Sequence, residues 1–329
     1  MRTTIFAALL CVLVLHATSA LGQFKKKTAK DENWGPNAVS GCTLGDPKTL
    51  YWECGFTIIA RGACSNITGT IPIPVDWPEQ KVKIVEENFP AYAKVSVQKQ
   101  AGGSSLLVFK INTLPAGENI NLTAKFEVEN YSQVGPEDVS KYKIPDPKEL
   151  GNLFKKYLLP SDKIESNNRK IRALAGEIGV DAENAWAEVE AVYDWVQANV
   201  KYENGKLKGA LAALEDGTGD CEELSSLFIA ICRAKGVPAR TVWVPDHCYA
   251  EFYLVDENGN GAWFPCQPAG DKAFGEMPFQ YIVLQKGDNF TLSFDKKRKV
   301  RYLPQEIRFG KTSRNATPIV KEVHRVVEE

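Results

Sequence analysis

Cys221 is the residue whose surroundings are best suited to chemistry. It sits in the run Gly217-Thr218-Gly219-Asp220-Cys221-Glu222-Glu223-Leu224, which opens an expected helix continuing through Ser225 to Ala234 and stopping at Gly236-Val237-Pro238. Asp220 with Glu223 three residues on has the form of a capping box, which puts Cys221 at the first helical position. There the unpaired backbone N–H groups and the positive end of the helix dipole favour a thiolate over a thiol. The same N–H groups can face the oxyanion of a carbonyl under attack. The common fate of a cysteine is instead to be a small buried side chain. Cys232 fits that fate, because it lies within the apolar stripe of Leu224, Leu227, Phe228 and Ile231, near the helix end where no dipole lowers its pKa.

A thiolate nucleophile needs a base or imidazolium partner, and histidine is scarce enough to name it. The chain holds three, His16, His247 and His324. His16 falls in an amino-terminal apolar segment, and His324 in the charged stretch Lys321-Glu322-Val323-His324-Arg325, read as surface. His247 begins the strand-like run His247 to Leu254, which turns at Asp256 to Gly261 and returns through Ala262 to Gln267. A lone histidine on a strand is usually packed or solvated. Joined to a helix-terminal cysteine and followed by a hairpin, it becomes the general base.

The stretch from Ala191-Val192-Tyr193-Asp194-Trp195-Val196, through Lys208 to Leu214, to Gly219-Asp220-Cys221-Glu222 and Ala234-Lys235-Gly236-Val237-Pro238-Ala239-Arg240 resembles the core of the transglutaminase-like superfamily. The His247 hairpin completes the order Cys, His, third residue. The resemblance runs from about Ala182 to Pro268. It implies a papain-like fold and a thiolate–imidazolium pair that attacks a carboxamide or peptide carbonyl, forming a thioester resolved by water or an amine. Where the family carries Asp as third residue, this chain has Gln267. A glutamine oxygen can accept from the imidazole and orient it, as the Asn of papain-like proteases does, but brings no negative charge.

The hairpin register is open from sequence. One register sets His247 opposite Gln267 and Cys248 opposite Cys266, and needs a connection at Asp256 to Asn258; a disulfide or close thiol pair is then expected between Cys248 and Cys266. A tight turn on Asn258-Gly259 instead sets His247 opposite Gly270 and brings Asp271 near as the reserve third residue. A zinc site from Cys221, Cys232, His247, Cys248 and Cys266 is disfavoured, because their separations lack the short paired ligand spacing of structural zinc. No metal and no cofactor are expected.

Two composition regimes must position these residues. From Trp34 to about Val134 the sequence reads as short strands rich in Val, Ile, Phe, Tyr and Thr, with alternation as in Leu122-Ala124-Phe126-Val128, which suggests a β-sandwich. Cys42, Cys54 and Cys64 lie early in it, and in an oxidising compartment two of the three are expected to pair. Gly135-Pro136 and Ile144-Pro145-Asp146-Pro147 then break regular structure. Beyond them come helical periods at 166–178 and 182–200, the second with Trp186, Val189, Val192, Tyr193 and Val196 on one stripe. The expected organisation is a signal peptide at 1–20, a polar start at 21–33, a β-sandwich at 34–135, a linker at 136–149, the catalytic unit at 150–289 and a charged segment at 290–329. The fold class is α+β, with helices packed on an antiparallel sheet preceded by an all-β sandwich.

The amino terminus has Arg2, an apolar run from Ile5 to Leu15 and the small residues Ala17 to Ala20, the pattern of a secretory signal and too short for a membrane span. Its removal takes Cys11 and His16, leaving seven cysteines and two histidines. The expected location is secreted or periplasmic, with no stable membrane insertion. The 329 residues include 40 Lys+Arg and 41 Asp+Glu, a net charge of −1 that offers no field to attract nucleic acid. The partner expected is a peptide or protein substrate, cleaved by hydrolysis more readily than transferred to an amine, since nothing in the sequence excludes water. The alternative is a catalytically weak or inactive binding module, which the absent Asp motivates.

Overall fold

Alternating apolar residues in the strand-rich half build a sandwich. The computed structural model describes residues 40–292, 295–313 and 316–328; the expected signal peptide and polar start lie outside them. Six strands come first: β1 (Thr43–Ile59), β2 (Cys64–Ile73), β3 (Gln80–Asn88), β4 (Lys94–Lys99), β5 (Ser105–Leu114) and β6 (Asn119–Val134). Every second residue turns inward, so that Trp52, Cys54, Phe56 and Ile58 of β1 and Leu122, Ala124, Phe126 and Val128 of β6 share a core with Ile67, Ile71, Phe109 and Ile111.

The prolines and glycines at 135–147 carry the chain out of the sandwich without a regular element. A single turn, α1 (Asn152–Lys155), precedes α2 (Arg169–Ala175) and α3 (Ala185–Asn199). The Asn184 side chain caps α3 by accepting from the N–H of Ala187 at 3.0 Å, and its predicted stripe from Trp186 to Val196 is buried. Then follow β7 (Lys201–Tyr202), α4 (Ala210–Asp216), β8 (Thr218–Gly219) and α5 (Cys221–Ala234). β7 and β8 pair in parallel and deliver the chain into α5.

The second sheet is made of β9 (Ala239–Val244), β10 (His247–Val255), β11 (Gly261–Cys266) and β12 (Gln285–Lys286), in the order β11-β10-β9-β12. On one face, Leu227, Phe228 and Ile231 of α5 pack with Ala250, Phe252, Leu254 and Phe264. On the other, Val242, Val244 and Tyr249 pack with Trp77 from the β2–β3 connection and with Met277. The sheet is thus a wall between helix and sandwich. The charges that alternation forces onto the sandwich side are paired: Arg240 to Glu251 at 2.7 Å, and Lys286 to Glu251 at 2.5 Å and to Glu79 at 2.6 Å, as burial requires.

A ribbon of β13 (Phe290–Leu292) and β14 (Asp295–Val300) leads to β15 (Glu306–Thr312) and β16 (Ile319–Val327). These last two return to the sandwich, completing sheets ordered β16-β1-β6-β3 and β15-β2-β5-β4. The carboxy-terminal segment, expected only as a charged segment, therefore supplies one edge strand to each sheet while keeping most of its charged residues exposed. Among the described residues no helix is long and apolar enough to cross a membrane.

Candidate active site

The position of Cys221 is set by the helix start that the sequence encodes. Asp220 Oδ1 accepts from the N–H of Glu222 at 2.8 Å, and Glu223 Oε2 accepts from the N–H of Asp220 at 3.2 Å. Glu223 also accepts from the N–H groups of Lys208 and Gly209, at 2.8 and 3.2 Å, which binds the start of α4 to the start of α5. A Cβ on Gly219 would lie 2.4 Å from the Glu223 Cβ, so only glycine leaves room for this box. Burial pushes Asp220 up to about 6, and the Glu223 side chain adds to that against the Glu222 N–H bond. Cys221 stands at the first helical position, half-buried.

His247 begins β10 after a two-residue turn in which Asp246 takes a left-handed φ of 55°, a conformation Asp tolerates better than most. The hairpin that follows adopts neither register expected from sequence. Ala250 stands opposite Cys266 and Val255 opposite Gly261, with a three-residue connection at 257–259. Asp256 N–H donates to Asn260 O at 2.8 Å, Gly259 N–H donates to Asp256 O at 3.0 Å, and Gly259 has a φ of 81°. That is a type I turn closed by a left-handed glycine, which moves the ladder relative to a two-residue Asn-Gly turn.

The expected Cys248–Cys266 disulfide does not form in this register. Cys248 faces Trp243 on β9, while Cys266 faces Ala250, so the two sulfurs are not cross-strand neighbours. Cys42, Cys54, Cys64, Cys221, Cys232, Cys248 and Cys266 are all free thiols, which also leaves the pair expected among the first three unformed. Burial pushes Cys42 and Cys54 up to about 12 and raises Cys232 further, so these thiols are inert. Among the described residues no group of three His, Cys, Asp or Glu side chains is arranged to hold a metal ion.

His247 and Gln267 meet all the same. Gln267 lies just past the end of β11 on the face of Tyr249 and His247, a diagonal neighbour that a long side chain can span. Its Oε1 is 3.0 Å from His247 Nε2. An amide oxygen only accepts, so Nε2 carries the proton and Nδ1 is the nitrogen left for Cys221. The Gln267 amide is fixed by two more bonds, from the Tyr281 hydroxyl to Oε1 at 3.2 Å and from Nε2 to the Asp271 carbonyl at 3.0 Å. Asp271, the reserve third residue, thus enters the site through its backbone oxygen, and as a residue it is exposed.

The electrostatics favour a charged pair. Cys221 is brought down to about 4, first by a hydrogen bond with the Cys248 thiol; burial opposes this, and the bond and charge of His247 and the backbone N–H of Cys248 reinforce it. Burial lowers His247, but its bond to and attraction for Cys221, with the Gln267 bond, outweigh that and raise it above its ordinary value. Both shifts favour a thiolate on Cys221 together with an imidazolium on His247.

Two contributors were hidden in the sequence. Arg301 lies in the segment expected only to be charged, yet its Nε lies 3.1 Å from Glu222 Oε2 and it donates to Ser226 Oγ at 2.8 Å and to the Asp162 carbonyl at 3.0 Å. It pairs with a half-buried carboxylate next to Cys221. It also lines an open cavity of about 400 Å³ with Leu207, Lys299 and Tyr302. Tyr281 is the other, held beside His247 at a ring distance of 5.8 Å. The one local signal for Arg301 was Glu222 itself, an acid beside a thiolate that requires a cation.

The transglutaminase-like superfamily is the family whose sequence pattern matches the chain, over residues 172–268. A solved structure of a candidate cysteine protease from Cytophaga hutchinsonii is 17% identical, covers 87% of this chain and 93% of its own, and superposes with a TM-score of 0.56, a likeness of fold. The periplasmic domain of TgpA from Pseudomonas aeruginosa bound to ethylmercury is 12% identical over 69% of this chain and 91% of that one, with a TM-score of 0.35, too low to support a structural argument. No curated protein matches. The chain is an α+β protein whose residues 172–268 match the transglutaminase-like superfamily, joined to an all-β sandwich built from strands on both sides of that stretch.

Proposed function

We propose that this chain is an exported cysteine peptidase or amidase that opens peptide or glutamine-type amide bonds through a thioester on Cys221. The observation that carries the reading is the hydrogen-bonded series Cys221, His247, Gln267, with the sulfur at a helix N-terminus. The Cys221 thiolate attacks the carbonyl carbon, and the developing oxyanion faces N–H groups at the start of α5. His247 gives its proton to the leaving amine. In the second half it takes a proton from water, hydroxide attacks the thioester and the acid leaves, restoring the thiolate. Gln267 holds the ring in the tautomer and plane this needs.

Hydrolysis is favoured over transfer because Cys221 and His247 are only half-buried, which leaves water at hand. The cavity lined by Leu207, Lys299, Arg301 and Tyr302 shares Arg301 with the ion pair to Glu222, the residue that follows Cys221. Export is inferred from the amino-terminal pattern of residues 1–20. The neutral Gln267 favours a second reading, a weakly active binding module. A library of amide substrates, assayed with and without added primary amine, tests the proposal: product acids that vanish in Cys221→Ala are expected. Turnover that survives Cys221→Ala removes the assignment, products found only with amine make the chain a transferase, and a folded wild type that binds peptides without turnover makes it a binding module.

A further inference from the structure

The neutral third residue leaves the imidazolium without a negative charge behind it, so the thiolate's stability must come largely from groups at the sulfur. We propose that Cys248 is a positioning residue for the nucleophile, its buried thiol donating to the Cys221 sulfur from the side opposite to His247 and holding it charged and aimed. The proposal rests on Cys221 being the nucleophile.

Three structural facts carry it. First, strand alternation sends His247 to the sandwich face of β10 and Cys248 to the α5 face, so consecutive residues reach the same sulfur from different directions. Second, β11 pairs with β10 only from Ala250 onward, and the three residues His247 to Tyr249 overhang it. The Cys248 backbone then faces the start of α5, where Ser225, one turn past Cys221, donates through Oγ to the Cys248 carbonyl at 3.5 Å; from that position the N–H and S–H of this one residue both favour a Cys221 thiolate. Third, Cys248 is 1% exposed, which excludes competing water.

The proton has a defined owner. The bond to Cys221, burial and the nearby negative charges of Cys221 and Glu222 raise the Cys248 thiol well above its ordinary value, with Arg301 opposing them. It remains S–H across the range in which Cys221 is S⁻. A donor to an anion forms a stronger bond than the same donor to a neutral acceptor. The charged or titratable groups facing the pair are Asp220 and Glu222 at the start of α5, His247 from β10, Arg301 from the carboxy-terminal segment and Tyr202 from β7.

The test is the pH dependence of Cys221 alkylation by iodoacetamide, read by mass spectrometry of its peptide in the full chain. It compares wild type with Cys248→Ala, Cys248→Val and Cys248→Ser, each checked for folding by thermal melting. Wild type is expected to titrate well below the ~8.5 of a free cysteine. Loss of the donor in the Ala or Val variant is expected to raise the apparent pKa by at least about one unit, a roughly tenfold loss of thiolate on the acid side. The Ser variant, which keeps a donor, is expected to recover most of that shift. Val fills the site where Ala leaves a cavity, so at least one donor-free variant is expected to fold. Profiles for Ala and Val that superimpose on wild type overturn the proposal and leave the nucleophile intact. A Ser variant no nearer to wild type than Ala overturns it too. A wild-type profile near ~8.5 overturns both this proposal and the peptidase reading.

Discussion

His247 Nε2 lies 3.0 Å from Gln267 Oε1 although the two residues are not partners across their hairpin, whose ladder ends with Ala250 opposite Cys266. The contact spans a diagonal, and it depends on the length of the glutamine side chain and on the Tyr281 and Asp271 bonds that fix it.

Gln267→Ala should lower kcat/KM by less than His247→Ala, whose loss as a general acid–base is expected to be about 10²–10⁴-fold. Gln267→Asp should not improve the enzyme: the carboxylate is one methylene shorter and cannot donate to the Asp271 carbonyl. Losing that half-buried hydrogen bond should cost about 0.5–1.5 kcal/mol, measured by urea unfolding. Higher activity together with undiminished stability in Gln267→Asp would contradict the diagonal geometry.

The rate of peptide turnover should follow the charged pair. With Cys221 at about 4 and His247 raised above its usual value, kcat/KM should rise as pH climbs through about 4 and fall as pH climbs past the ordinary histidine range. The sign follows from which form is active: protonating sulfur removes the nucleophile, and deprotonating the ring removes the acid. A profile that only begins to rise above pH 8 would exclude the pair.

Arg301 should matter through Glu222. Arg301→Leu leaves a half-buried carboxylate without its cation beside the thiolate and should cost about 1–3 kcal/mol in urea unfolding while slowing alkylation of Cys221. Adding Glu222→Gln removes the stranded charge, so the double variant should recover part of both losses. A double variant no better than the single would mean that Arg301 acts elsewhere.

Asp220 caps α5 as an acceptor, a role that Asn shares. Asp220→Asn should leave thermal stability nearly unchanged, whereas Asp220→Ala should cost about 1 kcal/mol. Equal losses in the two variants would show that the carboxylate's charge, rather than its bond to Glu222 N–H, holds the helix start.

Local chemistry made much of this protein readable in one dimension. The box of Asp220 and Glu223 spans four residues, so it placed Cys221 at a helix start without any tertiary information. Alternation over β1 and β6 and the three- and four-residue stripe of α3 record which side is buried, which is why the sandwich and the helix could be expected. Scarcity of histidine singled out His247.

Relations between distant segments could be decided only by the fold. The hairpin register depended on how a loop containing Asp256, Asn258 and Gly259 closed, and a shift of two residues separates a Cys248–Cys266 pair from the observed pairing of Ala250 with Cys266, which leaves Cys248 against the start of α5. Arg301 and the edge strands β15 and β16 sit in a segment whose charges mask its weak alternation. Charge and alternation specify how a segment meets water, but which distant group it meets is set by the packing of the whole chain. Cys221 therefore owed its place to four residues of sequence, and the Cys248, His247 and Arg301 around it to the fold.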